Sequence, residues 1–310
     1  MTSSADWPEL ALESWRDTYA TLHRWTQIVG KTRLALSPRE NHWWHVALYL
    51  TPRGLTTAAI PTGPLSFDVE FDFVGHELRV RTTRGGTGTI PLAPQSVRSF
   101  YRKYLELLGS LGIDLRIRPV PSELPPEPSF LEDDLHAAYD PDAAHRCWRL
   151  LAQADRLLKR FRGRFLGKSS PSHFWWGGFD LACTRFSGRP APRHPGGIPY
   201  LSDRVTVEAY SHECISAGFW MGTPGSPVEE PCFYAYAYPE PPGCPEAPLL
   251  PLTARYHPAM HEWILPRSAV ASENDPDSLV LEFLETTYSA AARLGGWDRV
   301  ALDRPPSEWP

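Results

Sequence analysis

Cysteine is scarce in this 310-residue chain and poorly spaced for pairing: Cys147, Cys183, Cys214, Cys232 and Cys244 are odd in number and far apart. No CxxC pair occurs, so neither a disulfide framework nor a zinc knuckle is indicated, and a reducing cytoplasm fits best. No stretch approaches the roughly 18 apolar residues that a membrane helix requires. The polar start from Met1 to Pro8 and the short apolar Leu10–Leu12 lack the form of a signal peptide. An excess of basic charge is also missing. The net charge of −5 argues against binding nucleic acid through its phosphates, which needs a dominant basic surface. One local exception runs from Arg156 to Lys168 and reads as the solvated end of a helix, where cations suit the dipole; Glu132, Asp133 and Asp134 upstream are placed to offset it.

What the chain does have is apolar residues at 42%, 12 tryptophans and 33 prolines. Its length suffices for a substantial core without disulfides or metals. The prolines cluster between apolar runs, as rigid turns.

An internal repeat organises the rest. A helix from Leu12 to about Val29, with Trp15, Tyr19, Leu22 and Trp25 at helical spacing, stops at Gly30-Lys31. A second helix begins after Asp140 as N-cap with Pro141 at its first position and stops at Gly167-Lys168. Asn41–Trp44 then leads into a strand from His45 to Leu50, and Ser172–Trp175 leads into Phe179–Cys183. Further strands follow: Ser66–Phe73, Glu77–Thr83 and Thr89–Leu92 in the first half, and Val205–Phe219, Cys232–Tyr238 and Glu262–Leu265 in the second. Each half closes with a helix ending on Leu-Gly, at Gly112 and Gly295. The expectation is an α+β fold: two helix–antiparallel sheet–helix units packed as a pseudo-twofold pair. The first covers 1–118 and serves mainly as scaffold, a Pro-rich linker covers 119–139, and the second covers 140–310 and carries the candidate site.

Strand alternation locates the chemistry. In the first half, Asp68, Glu70 and Asp72 share a face on which Arg79 and Arg81 can pair with them across a hairpin. In the second, alternation along Val205–Ser216 puts Glu208, Tyr210, His212 and Cys214 on one side, with few cations nearby. Tyr234, Tyr236 and Tyr238 share a face of their strand, and Asp180 shares one with Thr184. Should these faces coincide, an aromatic surface would hold Asp180, Glu208, Tyr210 and His212, the materials of proton transfer or metal ligation; a structural hydrogen-bond network uses the same materials. On the opposite faces lie His173, Arg185 and Glu213, with His194 in a nearby loop. Arg185 or His173 would partner Glu213 as a structural ion pair, or Arg185 would hold a ligand carboxylate or phosphate. His42 and His45 have three-residue spacing, which on a strand sends the rings to opposite faces; only a bulge or helix would bring them together. The loops after His194 and at Met221–Gly225 are candidate flaps.

Several runs resemble a known bacterial family: Trp-Pro-Glu-Leu at 7–10, Asn-His-Trp-Trp-His at 41–45, the stretch from Ser172 to Arg189, Glu208–Glu213 and Phe233–Glu240. Together they resemble domain-of-unknown-function family 5996 over nearly the whole chain. That resemblance implies no reaction, substrate or cofactor, and its motifs fall mainly in the second half.

The reading that follows is an enzyme acting on a small polar molecule. His212 would be base or metal ligand, Asp180 and Glu208 acid/base or ligands, and Tyr210 a substrate-positioning group or proton donor. His173, Arg185, His194, Glu213 and Tyr234, Tyr236 and Tyr238 would bind substrate. A single divalent metal on His212, Glu208 and Asp180 is compatible with this set. The alternatives are a non-catalytic binding protein with an aromatic pocket and an oligomerising interaction protein.

Overall fold

The computed structural model describes residues 6–223 and 225–309. Part of the polar N-terminus and Pro224 of the expected flap lie outside the described residues. Helix α1 spans Leu12–Leu36, and the first sheet is built from β1 (Tyr49–Leu50), β2 (Gly54–Thr56), β3 (Ile60–Thr62), β4 (Leu65–Asp72), β5 (Glu77–Thr82) and β6 (Thr87–Pro91). Helices α2 (Val97–Ser110) and α3 (Pro141–Gly163) precede the second half. There follow β7 (His173–Trp175), β8 (Asp180–Pro190), α4 (Asp203–Ala209), β9 (His212–Trp220), β10 (Cys232–Tyr238), β11 (Arg255–His257) and β12 (Glu262–Pro266). Helices α5 (Arg267–Ala271), α6 (Pro276–Leu294) and α7 (Arg299–Leu302) come next, followed by a 3₁₀ turn at Pro306–Glu308. The fold is α+β, with two antiparallel six-stranded sheets: β1-β2-β4-β5-β6 with β3 on β4, and β11-β12-β10-β9-β8-β7. The edges of the two sheets meet where Leu48 and Phe174 exchange both backbone hydrogen bonds, at 2.9 and 2.8 Å. Among the described residues no helix is long and apolar enough to cross a membrane.

Helix α1 packs against α2, α3, β3 and the 41–46 segment. Its apolar residues Trp15, Leu22, Trp25 and Ile28 are buried, and so are its polar ones from Thr26 to Arg33. A helix buried all round must satisfy its polar side chains internally. Arg33 donates to the His45 carbonyl at 2.7 Å, Thr32 bonds Tyr104 at 2.8 Å, and Lys31 donates to Ser122 at 2.8 Å. The helix runs past Gly30 rather than stopping there. The Trp176 indole lies against Gly30, where a Cβ would come within 2.2 Å of the ring. Tertiary packing, not helix termination, selects this glycine.

Helix α3 starts as the sequence predicts, with Asp140 accepting from the amides of Asp142 and Ala143 at 2.9 and 3.2 Å. It ends at Gly163, short of Gly167. Its basic end is paired rather than solvated: Arg156 meets Asp277 at 2.6 Å and Arg164 meets Glu285 at 3.3 Å, both on α6. The upstream acids serve elsewhere, Asp133 with Arg24 at 3.2 Å and Asp134 with Arg98. In the first sheet Arg81 pairs with Asp68 and, at 3.1 Å, with Glu70, as the alternation predicts. Asp72 is fully buried there and paired with Arg53 at 2.7 Å.

Two strand expectations need correction. The stretch 45–50 is a strand only at Tyr49–Leu50; Asn41–Val46 is a 3₁₀ turn in which His42 and Trp43 are left-handed. The stretch Val205–Phe219 is divided, with helix α4 over its start and β9 beginning only at His212. Val205, Thr206 and Val207 carry strand propensity, but the segment packs as a helix against the 41–46 turn.

One face of the second sheet packs on α3 and α6. Leu181, Cys183, Ile215, Phe219, Phe233, Trp263 and Leu265 on that face join a core cluster that also includes α1 and first-sheet residues. The other face, with Ala182, Tyr234 and Ile264, belongs to a separate small cluster and forms the floor of a cavity.

Candidate functional site

The site grows from β-strand register. Asp180 opens β8 opposite Trp220 of β9, and Tyr234 in β10 lies opposite Gly218 of β9 on one side and Ile264 of β12 on the other. Two-residue alternation therefore brings Asp180, Trp220, Gly218, Tyr234, Tyr236, Tyr238 and Glu262 to one face. Gly218 is what lets Tyr234 reach across the sheet: a Cβ there would meet the Tyr234 phenol at 2.5 Å. The Tyr234 hydroxyl donates to the Asp180 carboxylate.

Over this face lies a cavity of about 880 Å³, within the size range of small-molecule sites. Its walls come from several segments. The 119–139 stretch, without helix or strand, bonds to α1 where the Ser122 amide donates to Gln27 at 2.7 Å, and it delivers Glu123 into the cavity. Glu123 sits where a side chain on Gly177 would be, 1.9 Å from the position of its Cβ, so only glycine leaves room there. His23 of α1, fully inside, donates from Nε2 to the Gly177 carbonyl at 2.9 Å and so braces the same turn. Burial lowers His23 to about 4, which keeps it neutral. His194 stacks on Tyr210 with ring centroids 4.9 Å apart, and Tyr210 bonds Tyr236 at 2.8 Å.

Three carboxylates line this cavity without a cation beside them. Burial pushes Asp180 up to about 6, against the opposing pull of the Tyr234 hydrogen bond. Desolvation by the surrounding protein, with the neighbouring Asp180 charge, raises the carboxyl of Glu123, a residue otherwise exposed at the cavity rim, to about 7 and that of half-buried Glu262 to about 8. Among the described residues no Lys, Arg or His forms an ion pair with any of the three. Glu240, also in the lining, is instead held by Tyr256 and by His261 at 2.9 Å. Each of the three carboxylates is reached through a left-handed non-glycine residue: Glu123 itself (φ 59°), Phe179 before Asp180 (57°) and His261 before Glu262 (57°). Such conformations cost about 1–3 kcal/mol each and concentrate at functional sites.

A narrower recess of about 230 Å³ adjoins the cavity and shares Glu123, Gly178, Asp180, Tyr210, Tyr234 and Tyr236 with it. Its remaining walls are largely apolar, including Trp43, Trp44, Trp175, Phe186 and Leu201.

The structure unites Asp180, Tyr210, His194, Tyr234, Tyr236 and Tyr238 around one cavity. Glu208 and His212 stand outside its lining. Glu208 is on helix α4, and His212 is exposed at the start of β9, 5.8 Å from the His42 ring. The alternation that grouped them with Tyr210 does not apply across a helix. Among the described residues no group of three His, Cys, Asp or Glu side chains is arranged to hold a metal ion, so His212, Glu208 and Asp180 do not form a ligand set. Arg185 is buried on the opposite face, 3.4 Å from the Phe161 ring and 3.7 Å from Glu285. Glu213 pairs with Arg189 at 2.7 Å, not with Arg185 or His173. His173 is fully buried among Trp44, Tyr49 and Trp175, where burial lowers it to about 3. Reasoning from sequence missed Glu123, Glu262 and His23. For Glu262 the signal was present, a charged residue opening an otherwise apolar strand.

A family model described as a family of unknown function (DUF5996) matches residues 7–304. The chain belongs to this family. For this DUF5996 member, neither curated proteins nor solved structures gave a match.

Proposed function

We propose that the cavity is an acid–base active site for a small polar molecule. Asp180 is the proton carrier, since a carboxyl near neutrality can both give and take a proton at working pH. Tyr234 fixes its orientation and donates a hydrogen bond, and Tyr210 and Tyr236 position substrate. Glu123 and Glu262 set the field around Asp180. The observation that carries this reading is the gathering of Glu123, Asp180 and Glu262 in one aromatic cavity, all raised above the usual carboxylate range. Among the described residues the buried carboxylates elsewhere, Glu70, Asp72, Asp133 and Asp155, each have an arginine or lysine partner; these three do not.

The test is Asp180→Asn, which keeps shape and removes the titratable proton. With metabolite mixtures followed by NMR, the wild type should convert a component and the variant should lose at least about 100-fold in rate, with a melting temperature no lower than wild type. Equal turnover by the two proteins would refute the assignment. A second reading, a non-catalytic binding protein, draws on the aromatic wall of Tyr210, Tyr234, Tyr236, Tyr238 and Trp220; ligand binding without turnover by the wild type would select it.

We further infer that the two halves are diverged copies of one unit related by a pseudo-twofold axis, with the first copy now a scaffold. Supporting this, both sheets are antiparallel, six-stranded and set between helices, and β1 and β7, the first strand of each, abut through the Leu48–Phe174 pair. A cytoplasmic location is in keeping with five free, buried cysteines.

A further inference from the structure

We propose that the substrate is a small organic cation, its ammonium group held by Glu123, Asp180 and Glu262 and its apolar part lodged in the adjoining aromatic recess. This rests on reading the cavity as the active site and adds the class of molecule it accepts.

Charge is the first ground. Four carboxylates line the main cavity (Glu123, Asp180, Glu240 and Glu262) and no lysine or arginine does. Glu240 is engaged by His261 and Tyr256, which leaves three to face the ligand. An anionic substrate would find no lysine or arginine to hold it and would be repelled by each carboxylate that ionises. A neutral polyol could accept the hydrogen bonds offered by tyrosine hydroxyls, but it would do nothing to favour the ionised form of carboxyls that burial holds partly protonated. A cation favours that form, because in a partly water-excluded site opposite charges attract far more strongly than in bulk water.

The aromatic lining is an independent ground. Trp220, Tyr234 and Tyr236 stand around the same space, and aromatic faces attract cations through their quadrupoles, most strongly where water is displaced. The third ground is the join between the two spaces. Glu123 and Asp180 belong to both cavity and recess, so a charged group held there would point its remainder at Trp44, Trp175 and Phe186. An amine with an aromatic or aliphatic tail satisfies both at once.

Three probes of one shape separate the possibilities: benzylamine as cation, benzyl alcohol as neutral isostere and benzoate as anion. Each is titrated calorimetrically into the full chain near pH 8, where Glu262 ionises at about 8. Benzylamine should bind in the roughly millimolar range or better and at least about tenfold more tightly than either isostere. Glu123→Gln and Glu262→Gln, isosteric changes checked for cooperative melting no lower than wild type, should each weaken benzylamine about tenfold and leave benzyl alcohol unaffected. Benzyl alcohol or benzoate binding as well as benzylamine, no benzylamine binding, or affinity indifferent to both substitutions would overturn the inference. The two proposals fail separately. Benzylamine preference in a protein with no Asp180-dependent turnover upholds the cation site and removes the acid–base reading. Asp180-dependent turnover of a neutral molecule, without benzylamine preference, does the reverse.

Discussion

Glu262→Gln should stabilise the protein at high pH and leave its stability unchanged at low pH. Glu262 is half-buried, and its carboxyl is raised from 4.5 to about 8, by burial first and by the Asp180 charge second. A carboxyl held above its unfolded value binds its proton more tightly in the folded state. Below about pH 4 the group is protonated in both states and contributes no difference. Between the two values only the folded chain carries the proton, so stability falls as pH rises, and the loss is complete above about 8. A shift from 4.5 to about 8 corresponds to roughly 4–5 kcal/mol. Solvent reaching the carboxylate through the cavity mouth reduces this, and about 2 kcal/mol is a reasonable net figure. For a chain of this length that is a melting shift of about 3 °C. Scanning calorimetry of wild type and variant at pH 4 and pH 9 reads it directly. The expected result is nearly matched melting at pH 4 and a variant about 3 °C more stable near pH 9. A variant less stable than wild type at pH 9 would mean that Glu262 is ionised and well partnered in the folded state, and an equal offset at both values would mean that its proton affinity does not change on folding; either would refute the argument.

Gly218→Ala should disturb the site from beneath, since its Cβ would come within 2.5 Å of the Tyr234 phenol and 2.3 Å of the Leu181 carbonyl. We expect a loss of about 1–3 kcal/mol from overpacking and, once the Tyr234 hydrogen bond is broken, an Asp180 titration moved further up; unchanged Asp180 titration by carboxyl NMR would contradict this. His261, left-handed at φ 57° and exposed, should accept glycine with a change within about 0.5 kcal/mol, whereas valine should cost about 1–2 kcal/mol. Urea denaturation that finds the two variants alike would show that the backbone there is not held as described.

Local chemistry made much of this legible in advance. The Asp140-Pro141 helix start, the charge pairing of Asp68 with Arg81 and the common face of Tyr234, Tyr236 and Tyr238 all follow from short-range rules, and the structure has each of them. The misses arise where distant packing overrides a local signal. Gly30 resembles a helix stop, yet the Trp176 ring needs the space a side chain would take. Val205-Thr206-Val207 resembles a strand start, yet Ser202-Asp203 ahead of it is equally a helix start, and contact with the 41–46 turn favours the helix. That one difference removes Glu208 and His212 from the site. Glu123 was hidden for another reason: a proline-rich stretch reads as a connection, and nothing within it indicates that Ser122 is fastened to Gln27, 95 positions away, to bring the next residue into a cavity.

The central claim is that Glu123, Asp180 and Glu262 share one cavity and titrate near neutrality. Carboxyl ¹³C NMR across pH 3 to 10, with resonances assigned by single Asp→Asn and Glu→Gln variants, tests it most directly. The account predicts midpoints of about 6 for Asp180, 7 for Glu123 and 8 for Glu262, with Glu123 and Glu262 moving down when Asp180 is replaced by Asn. Three independent midpoints near 4, indifferent to that replacement, would contradict it.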